Sequence, residues 1–401
     1  MARNSHKAAY HAAMLNALRV TYLMPEYSAG ERASEVSGES GAYAGGKGPK
    51  EHGTWAVETG GPIRPQDVEK ALTLDRQIHK DDGDLISAVY ITSPTYDGVV
   101  SDVKKISQIA HGFNIPLIVD EAHGAHFGMH EIFPESSVRQ GADFVIHSLH
   151  KTLPSLTQTA LIHVNGELAD RRRLREMLDT YQTSSPSYVL MASIDNCVCM
   201  LNESGHDLFS QLAGNLDRFY ASVSDLKQIS CLHMDDPSKI LLKPRASFMT
   251  ARKLYDILRE EYHLQPEMVS RTYVLMLCSI GDSEEGFRRL SPALHEIDAG
   301  PAGREGTDMT IAASGFLPLP EAVMTIAEAR DACQEKTVFE QSAGRISGEY
   351  IYLYPPGIPL ITPGERISPG LIRQVLTLRQ AGYSLEGMDD HSLGEIWCIR
   401  E

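Results

Sequence analysis

Three short apolar runs, each ending on residues that a plain core strand does not need, restrict this chain more than any other feature. They are Leu85-Ile-Ser-Ala-Val-Tyr-Ile-Thr92, Ile115-Pro-Leu-Ile-Val-Asp120 and Asp143-Phe-Val-Ile-His-Ser148. Between the first two, Val103, Ile106, Ile109, Ala110 and Phe113 recur at helical spacing behind Ser101, which reads as the helix N-cap. Short apolar strands alternating with helices imply βαβ units and a parallel sheet buried on both faces. The predicted class is therefore α/β, and such sheets bind ligands beyond the carboxyl ends of their strands.

The rest of the chain is arranged around that pattern. A helix is predicted over 8–17, an apolar strand around 20–24, and a short helix over 65–72 opened by Pro65. Residues 28–61 are rich in Gly, Ser and charge and read as a low-complexity insertion. Helical runs follow over 188–202 and 206–228. Strand-like 239–242, a helix over 250–261, strand-like 272–278 and helices over 283–297 and 320–332 then predict a smaller α+β domain. The division falls into a major domain, 1–235, and a C-terminal small domain, 236–401.

Composition narrows the function classes. With 401 residues, 42% hydrophobic and 22% charged, the chain can bury a large core and is not mainly disordered. A net charge of −16 argues against a general nucleic-acid binder. The six cysteines are scattered without a CxxC pair, and no apolar run approaches the roughly 20 residues that span a bilayer, so no membrane partner is expected. The first 24 residues carry Arg3, Lys7 and Arg19 and no acid, as a transit peptide would, but a folded helix explains them as well. A cytoplasmic location is expected.

The chemistry collects at three strand ends: Ser93-Pro-Thr-Tyr-Asp-Gly98, Asp120-Glu-Ala-His-Gly124 and Ser148-Leu-His-Lys151. If the strands are parallel neighbours, a carboxylate, a lysine and several hydroxyls meet on one edge. A lysine facing a carboxylate there suits pyridoxal phosphate, the amine for the aldehyde and the acid for the pyridine nitrogen. The same pair also serves as an ordinary ion pair. Asp120-Glu-Ala-His123 spells a helicase DEAH box as well, but Gly45-Gly-Lys-Gly48 lacks the spacing of the P-loop a helicase needs. His123, His126 and His130 with Glu121 could suggest a metal site, yet three histidines within eight residues give poor tetrahedral geometry. No metal is expected.

The ordered set of motifs resembles the bacterial ornithine/lysine/arginine decarboxylase family. The resemblance rests on Ile118-Val-Asp-Glu-Ala-His-Gly-Ala-His-Phe127, Gly141-Ala-Asp143, Ser148-Leu-His-Lys-Thr-Leu-Pro154 and Gln158-Thr159. Arg3-Asn-Ser-His-Lys7, Thr183-Ser-Ser-Pro-Ser-Tyr188, Tyr354-Pro-Pro-Gly-Ile-Pro359 and Pro363-Gly-Glu365 complete it. It implies the aspartate-aminotransferase-like fold, type I among pyridoxal 5'-phosphate enzymes, with a smaller α+β C-terminal domain.

The resemblance also implies roles. Lys151 would hold the cofactor as a Schiff base, Asp120 would pair with the pyridinium nitrogen, and Ala122 and His6 would pack on opposite ring faces. Ser148 and His150 would approach the phosphate, joined by Thr183, Ser184 or Ser185 from a neighbouring subunit, which makes a homodimer or higher homo-oligomer with shared sites the expected partner. His123 would line the reaction face, and Thr95 and Tyr96 would border the pocket. Lys151 or a histidine would return a proton after carbon dioxide leaves. Glu349 or Glu365 is a guess for the group that binds a cationic side chain.

Upstream of the Arg-Asn-x-His motif the family carries a cup for the cofactor phosphate, whereas this chain begins at Met1, inside that motif. The resemblance then implies a truncated reading of a longer gene, an incomplete relic, or a missing part supplied by a separate chain. The expected function is decarboxylation of arginine, lysine or ornithine to an amine in polyamine metabolism. Transamination or aldol cleavage on the same fold, or a catalytically impaired fragment acting as an assembly partner, are the alternatives.

Overall fold

The computed structural model describes residues 1–26, 61–79, 84–301, 319–354, 357–380 and 382–400. All but Gly61 of the predicted 28–61 insertion, and Pro355 and Pro356 of the late loop, lie outside the described residues. The chain divides into two compact units, Gly30–Asp308 and a second made of Met1–Ala29 with Met309–Glu401.

In the second unit the N-terminal helix α1 (Lys7–Leu15) is opened by His6, whose Nδ1 accepts the Ala8 amide at 3.3 Å. The strand expected around 20–24 reduces to a single parallel bridge between Leu23 and Ala2.

The larger unit begins with α2 (Pro65–Ile78), six residues longer than expected and carrying Pro65 in its first turn, where a missing N–H costs nothing. Then come β1 (Val89–Thr92), α3 (Val103–Gly112), β2 (Leu117–Asp120), β3 (Phe144–Ser148), α4 (Leu149–Thr152) and β4 (Ala160–Val164). The sheet order is β1-β2-β3-β4, with the first three strands parallel and β4 antiparallel to β3. The expected parallel sheet thus acquires an antiparallel edge, because the chain from α4 to β4 is too short for a crossover. Asp102, not Ser101, caps α3: its side chain accepts the Lys105 amide at 3.0 Å, while Ser101 Oγ accepts the Ile63 amide at 3.0 Å.

After α5 (Arg171–Tyr181), one helix, α6 (Tyr188–Ser222), replaces the two helices expected. Phe209, Leu212, Leu216 and Phe219 line its second half and are buried, and that packing outweighs the weak helix preference of Ser204 and Gly205. A second sheet follows, antiparallel throughout, in the order β5 (Ile229–Leu232), β6 (Lys239–Pro244), β8 (Val274–Leu277), β7 (Met268–Val269). Helices α7 (Ala251–Glu260) and α8 (Glu284–Asp298) complete it.

Phe127 and Phe133 from the loop after β2 and Leu149 of α4 share one core with Phe209 and Leu216 of α6, Ile240 and Leu242 of β6, and Leu290 and Leu294 of α8. The expected boundary at 235/236 therefore falls inside the larger unit. The second sheet shares that core with α6, α7 and α8, while Leu241, Met268, Tyr273 and Leu275 form a smaller cluster with Val99 and Met234.

The second unit continues with α9 (Ile326–Asp331), shorter than the expected 320–332 because Thr325 and Glu328 form a capping box that starts it late. Strand β9 (Gln334–Val338) pairs with β13 (Glu395–Ile399), and β11 (Ile358–Ile361), β10 (Ile351–Tyr354) and β12 (Ser384–Glu386) form a three-stranded sheet beside α10 (Pro369–Gln380). Arg3 joins the N-terminal segment to this unit: its guanidinium donates to both oxygens of Glu365 at 2.7 and 2.9 Å and lies over the Tyr22 ring at 4.6 Å. Glu365, guessed as a site for a cationic side chain, is spent on that buried pair. Glu349 is likewise taken, by the amides of Asp389 and Trp397.

Candidate active site

The register of the first sheet sets Thr92 beside Asp120, and Asp120 beside Ile146. Parallel pairing brings the C-termini of all three strands to one edge, so the residues after Thr92, Asp120 and Ser148 gather there. Asp120, almost buried, accepts the Tyr90 hydroxyl on Oδ2 at 3.1 Å and the Ala122 amide on Oδ1 at 3.2 Å. Burial, then the adjacent carboxylate, pushes the Tyr90 hydroxyl far up, so it remains a donor to Asp120.

Lys151 stands in α4, the single turn that follows β3, and its Nζ lies 3.2 Å from His123 Nε2. Burial lowers the lysine from its ordinary value. Asp120 and Glu267 oppose the shift, and Lys239 reinforces it. Asp120 and Lys151 are thus close enough to couple electrostatically. His123 is held well below its ordinary value by burial first and then by Lys151 and Lys239, against Asp236, so the ring is neutral near pH 7. Its Nδ1 is buried with no hydrogen-bond partner among the described residues. A bare ring nitrogen is cheaper to bury alone than an N–H, which favours the proton on Nε2, facing the lysine. The Tyr96 ring covers His123 at 4.5 Å between centroids, and Tyr96 donates its hydroxyl to Glu267.

The other expected residues divide into those near this edge and those elsewhere. Ser148 ends β3 and makes no capping bond to α4, and the His150 ring is fixed by Nδ1, 2.9 Å from the Thr159 carbonyl oxygen. Thr95 is buried and turned to its own loop, accepting the Val99 amide at 3.1 Å. Thr183, Ser184 and Ser185 lie exposed between α5 and α6, where Thr183 donates to the Ser185 carbonyl at 3.1 Å. His6 belongs to the other unit, where it caps α1.

The histidines weighed as metal ligands take separate partners: His123 meets Lys151, His126 meets Asp236 at 3.2 Å, and His130 accepts the Ile132 amide at 3.4 Å. Glu121 is consumed by Ser136 Oγ (2.7 Å), the Ser137 amide and hydroxyl, and His147 Nε2 (2.8 Å). A Cβ at Gly124 would lie 2.7 Å from Glu121 Cγ, so this glycine lets the loop close over that carboxylate. Among the described residues no group of three His, Cys, Asp or Glu side chains could hold a metal.

Sequence reasoning passed over Tyr90, Glu267, Asp236 and Lys239. Only Lys239 left a visible signal, a lysine opening the apolar run Lys239-Ile-Leu-Leu242.

Comparison with known proteins adds to this geometry. The family model described as the Orn/Lys/Arg decarboxylase major domain matches residues 56–274, and that of the C-terminal domain matches 309–393. The chain is 31% identical over 352 residues to an arginine decarboxylase of Bacillus anthracis, covering 84% of this chain and 69% of that protein. To the arginine decarboxylase of Bacillus subtilis it is 30% identical, covering 78% and 65%. The solved constitutive lysine decarboxylase of Escherichia coli matches with a TM-score of 0.76 at 19% identity, over 99% of this chain and 66% of that one, and shows the same α/β fold. The chain therefore spans about two thirds of the length of these relatives. No helix among the described residues is long and apolar enough to cross a membrane.

Proposed function

The chain belongs to the Orn/Lys/Arg decarboxylase family, and on that premise we propose that it binds pyridoxal 5'-phosphate and decarboxylates arginine, lysine or ornithine, in polyamine metabolism. The observation that carries this reading is Lys151, drawn toward neutrality, within hydrogen-bond range of His123 and in electrostatic reach of Asp120 at the neighbouring strand end. An amine whose charged form burial disfavours, set beside a carboxylate, is the donor set that an aldehyde-bearing pyridine needs. The partnerless His123 Nδ1 fits an adjoining polar group as well.

When bound, the cofactor supplies an aldehyde for amines and a protonated ring that accepts the electron pair left by departing carbon dioxide. Lys151 would supply the amine that holds the cofactor, and Asp120, already oriented by Tyr90 and the Ala122 amide, would hold a proton at the ring nitrogen. His123, neutral and 3.2 Å from Lys151, would donate its Nε2–H to the lysine nitrogen and so hold the amine in place. Ala122 would pack on one face of the ring. Ser148, His150, and Thr183, Ser184 and Ser185 would serve the phosphate.

The last three belong to a site shared between copies of the chain. Tyr181, Tyr188 and Val189, between two-thirds and four-fifths exposed, flank that segment, with Leu156, Met177 and Met191 nearby in the chain order of the same unit. Exposed apolar residues of this number favour a second copy as their cover. Tyr188→Glu is expected to turn a dimer into a monomer by light scattering.

Adding pyridoxal phosphate to the purified chain tests the main reading. A visible absorbance band, and a Lys151 peptide carrying the cofactor after borohydride reduction, are expected. Carbon dioxide with agmatine, cadaverine or putrescine would identify the substrate. A keto acid product would make the chain a transaminase, and no band at all would remove the reading.

A further inference from the structure

Behind Lys151 and His123 lies a second set of buried charges that the proposed chemistry does not use. Asp236 and Lys239 are 0% and 1% exposed, on the turn into β6. Lys239 Nζ donates to Asp236 Oδ2 at 3.0 Å and to Ser238 Oγ at 3.4 Å. Asp236 Oδ1 accepts from Ser238 Oγ at 2.7 Å and the Ser238 amide at 3.0 Å, and lies 3.2 Å from His126 Nε2.

The same turn reaches the loop that follows β1. The Asp236 amide donates to the Gly98 carbonyl at 3.1 Å, and Asp235 accepts the Val100 amide at 2.9 Å. Gly98 has φ +91°, and a Cβ there would lie 2.8 Å from Lys239 Cγ, so only glycine lets this loop rest on the lysine stem. Asp236 therefore ties down two loops, one through Gly98 and one through His126. Those loops carry Tyr96 and His123, whose rings meet at 4.5 Å, and His123 in turn meets Lys151.

We propose that Asp236 and Lys239 form a positioning pair for Lys151, clamping the Tyr96 and His123 loops over its amine and placing a buried ammonium behind it. The charged and titratable groups facing Lys151 are Asp120 from the end of β2, His123 from the following loop, Glu267 from the segment before β7, and Lys239. After burial, Lys239 is the group that favours the uncharged amine against the two carboxylates. A pair that served packing alone would leave the titration of Lys151 untouched. The catalytic meaning of this inference rests on the proposed role of Lys151, but its test needs no cofactor.

The test follows acetylation of Lys151 against pH in the cofactor-free chain, read by mass spectrometry of its peptide. Lys239→Met is expected to move the midpoint up by about half a pH unit, lowering labelling near neutrality about threefold. Lys239→Arg, which keeps the charge, is expected to leave the midpoint in place. Should Lys239→Met fail to fold by circular dichroism, the double variant Asp236→Asn/Lys239→Met removes both charges together and is expected to show a smaller upward shift, since loss of the Asp236 charge opposes it. An unmoved midpoint in a folded charge-removed variant, or an equal shift in Lys239→Arg, overturns the inference. A shift without any visible band on adding pyridoxal phosphate to the native chain would sink the proposed function and leave the positioning pair standing. A band without a shift would do the reverse.

Discussion

Two turns of the larger unit each withdraw a lysine from solvent, and they treat it in opposite ways. Lys239, at the entry to the antiparallel sheet, has a carboxylate oxygen 3.0 Å from its ammonium. Asp236, its partner, pays for burial yet is held far below the ordinary carboxylate range by Lys239 and His126. Lys151, beyond the end of a parallel strand, meets a neutral imidazole at 3.2 Å, and Asp120 acts on it only through space. Burial with a counter-ion in contact satisfies the charge; burial without one in contact disfavours the charged form of the amine. The sheets explain the placement. Parallel strands open their C-termini on a single edge, where polar groups converge, whereas antiparallel strands alternate and leave Asp236 and Lys239 to brace the loops next door.

The contrast breaks most decisively at Lys151. Lys151→Ala is expected to abolish covalent cofactor trapping and to cost decarboxylation at least about a thousandfold while the chain stays folded. Product release assays and circular dichroism measure the two halves of that statement. Full activity in this variant would leave the two lysines indistinguishable in role.

At the other turn, Asp236→Ala strands a buried ammonium, and a loss of about 3–5 kcal/mol in urea unfolding is expected. The depressed carboxylate also makes stability depend on acid. Its contribution is complete above the ordinary aspartate value of about 3.9 and is lost as pH falls below it toward the folded value. Asp236→Asn should therefore flatten the decline of stability at acid pH, and an unchanged decline would show that other carboxylates govern it.

Lys151→Met sharpens the comparison with a change of opposite sign. Removing an amine whose charged form is disfavoured in the folded state should stabilise the chain at pH 7, by about 1 kcal/mol. Because the folded value is lowered, the native chain binds fewer protons than the unfolded one between that value and about 10.4. Native stability rises with pH through that window, so the advantage of Lys151→Met shrinks there. Thermal melts across that range check the slope, and a constant advantage would contradict it.

The smallest change is expected from Tyr96→Phe, which keeps the ring over His123 but removes the hydroxyl held by Glu267. One hydrogen bond is worth about 1 kcal/mol, or roughly fivefold in kcat/KM. A much larger loss would mean that the hydroxyl itself takes part in the chemistry.

Much of the fold was legible because its signals are local. Each of the first three strands falls inside its apolar run, and α7 and α8 follow their helical spacing. The misreadings arose where distant residues decide. Two helical runs were expected, 188–202 and 206–228, but the buried face of α6 carries one helix through the gap between them. The division at 235/236 followed a change in local pattern, while the core joins residues on both sides of it. Similarly, Glu365 looked available for a ligand until its pairing with Arg3, 362 positions away, was seen.

The sequence alone determined the α/β class and placed Asp120, His123 and Lys151 just at or after the ends of two strands, since periodicity and residue type act over a few neighbouring positions. Tertiary structure decided which ionisable groups are paired and which are left reactive. Lys151 and Lys239 carry the same side chain, and nothing within a few residues of Lys151 separates their fates. What separates them is how deeply each is buried and whether a carboxylate touches it, and those quantities exist only once loops from different strands have packed together.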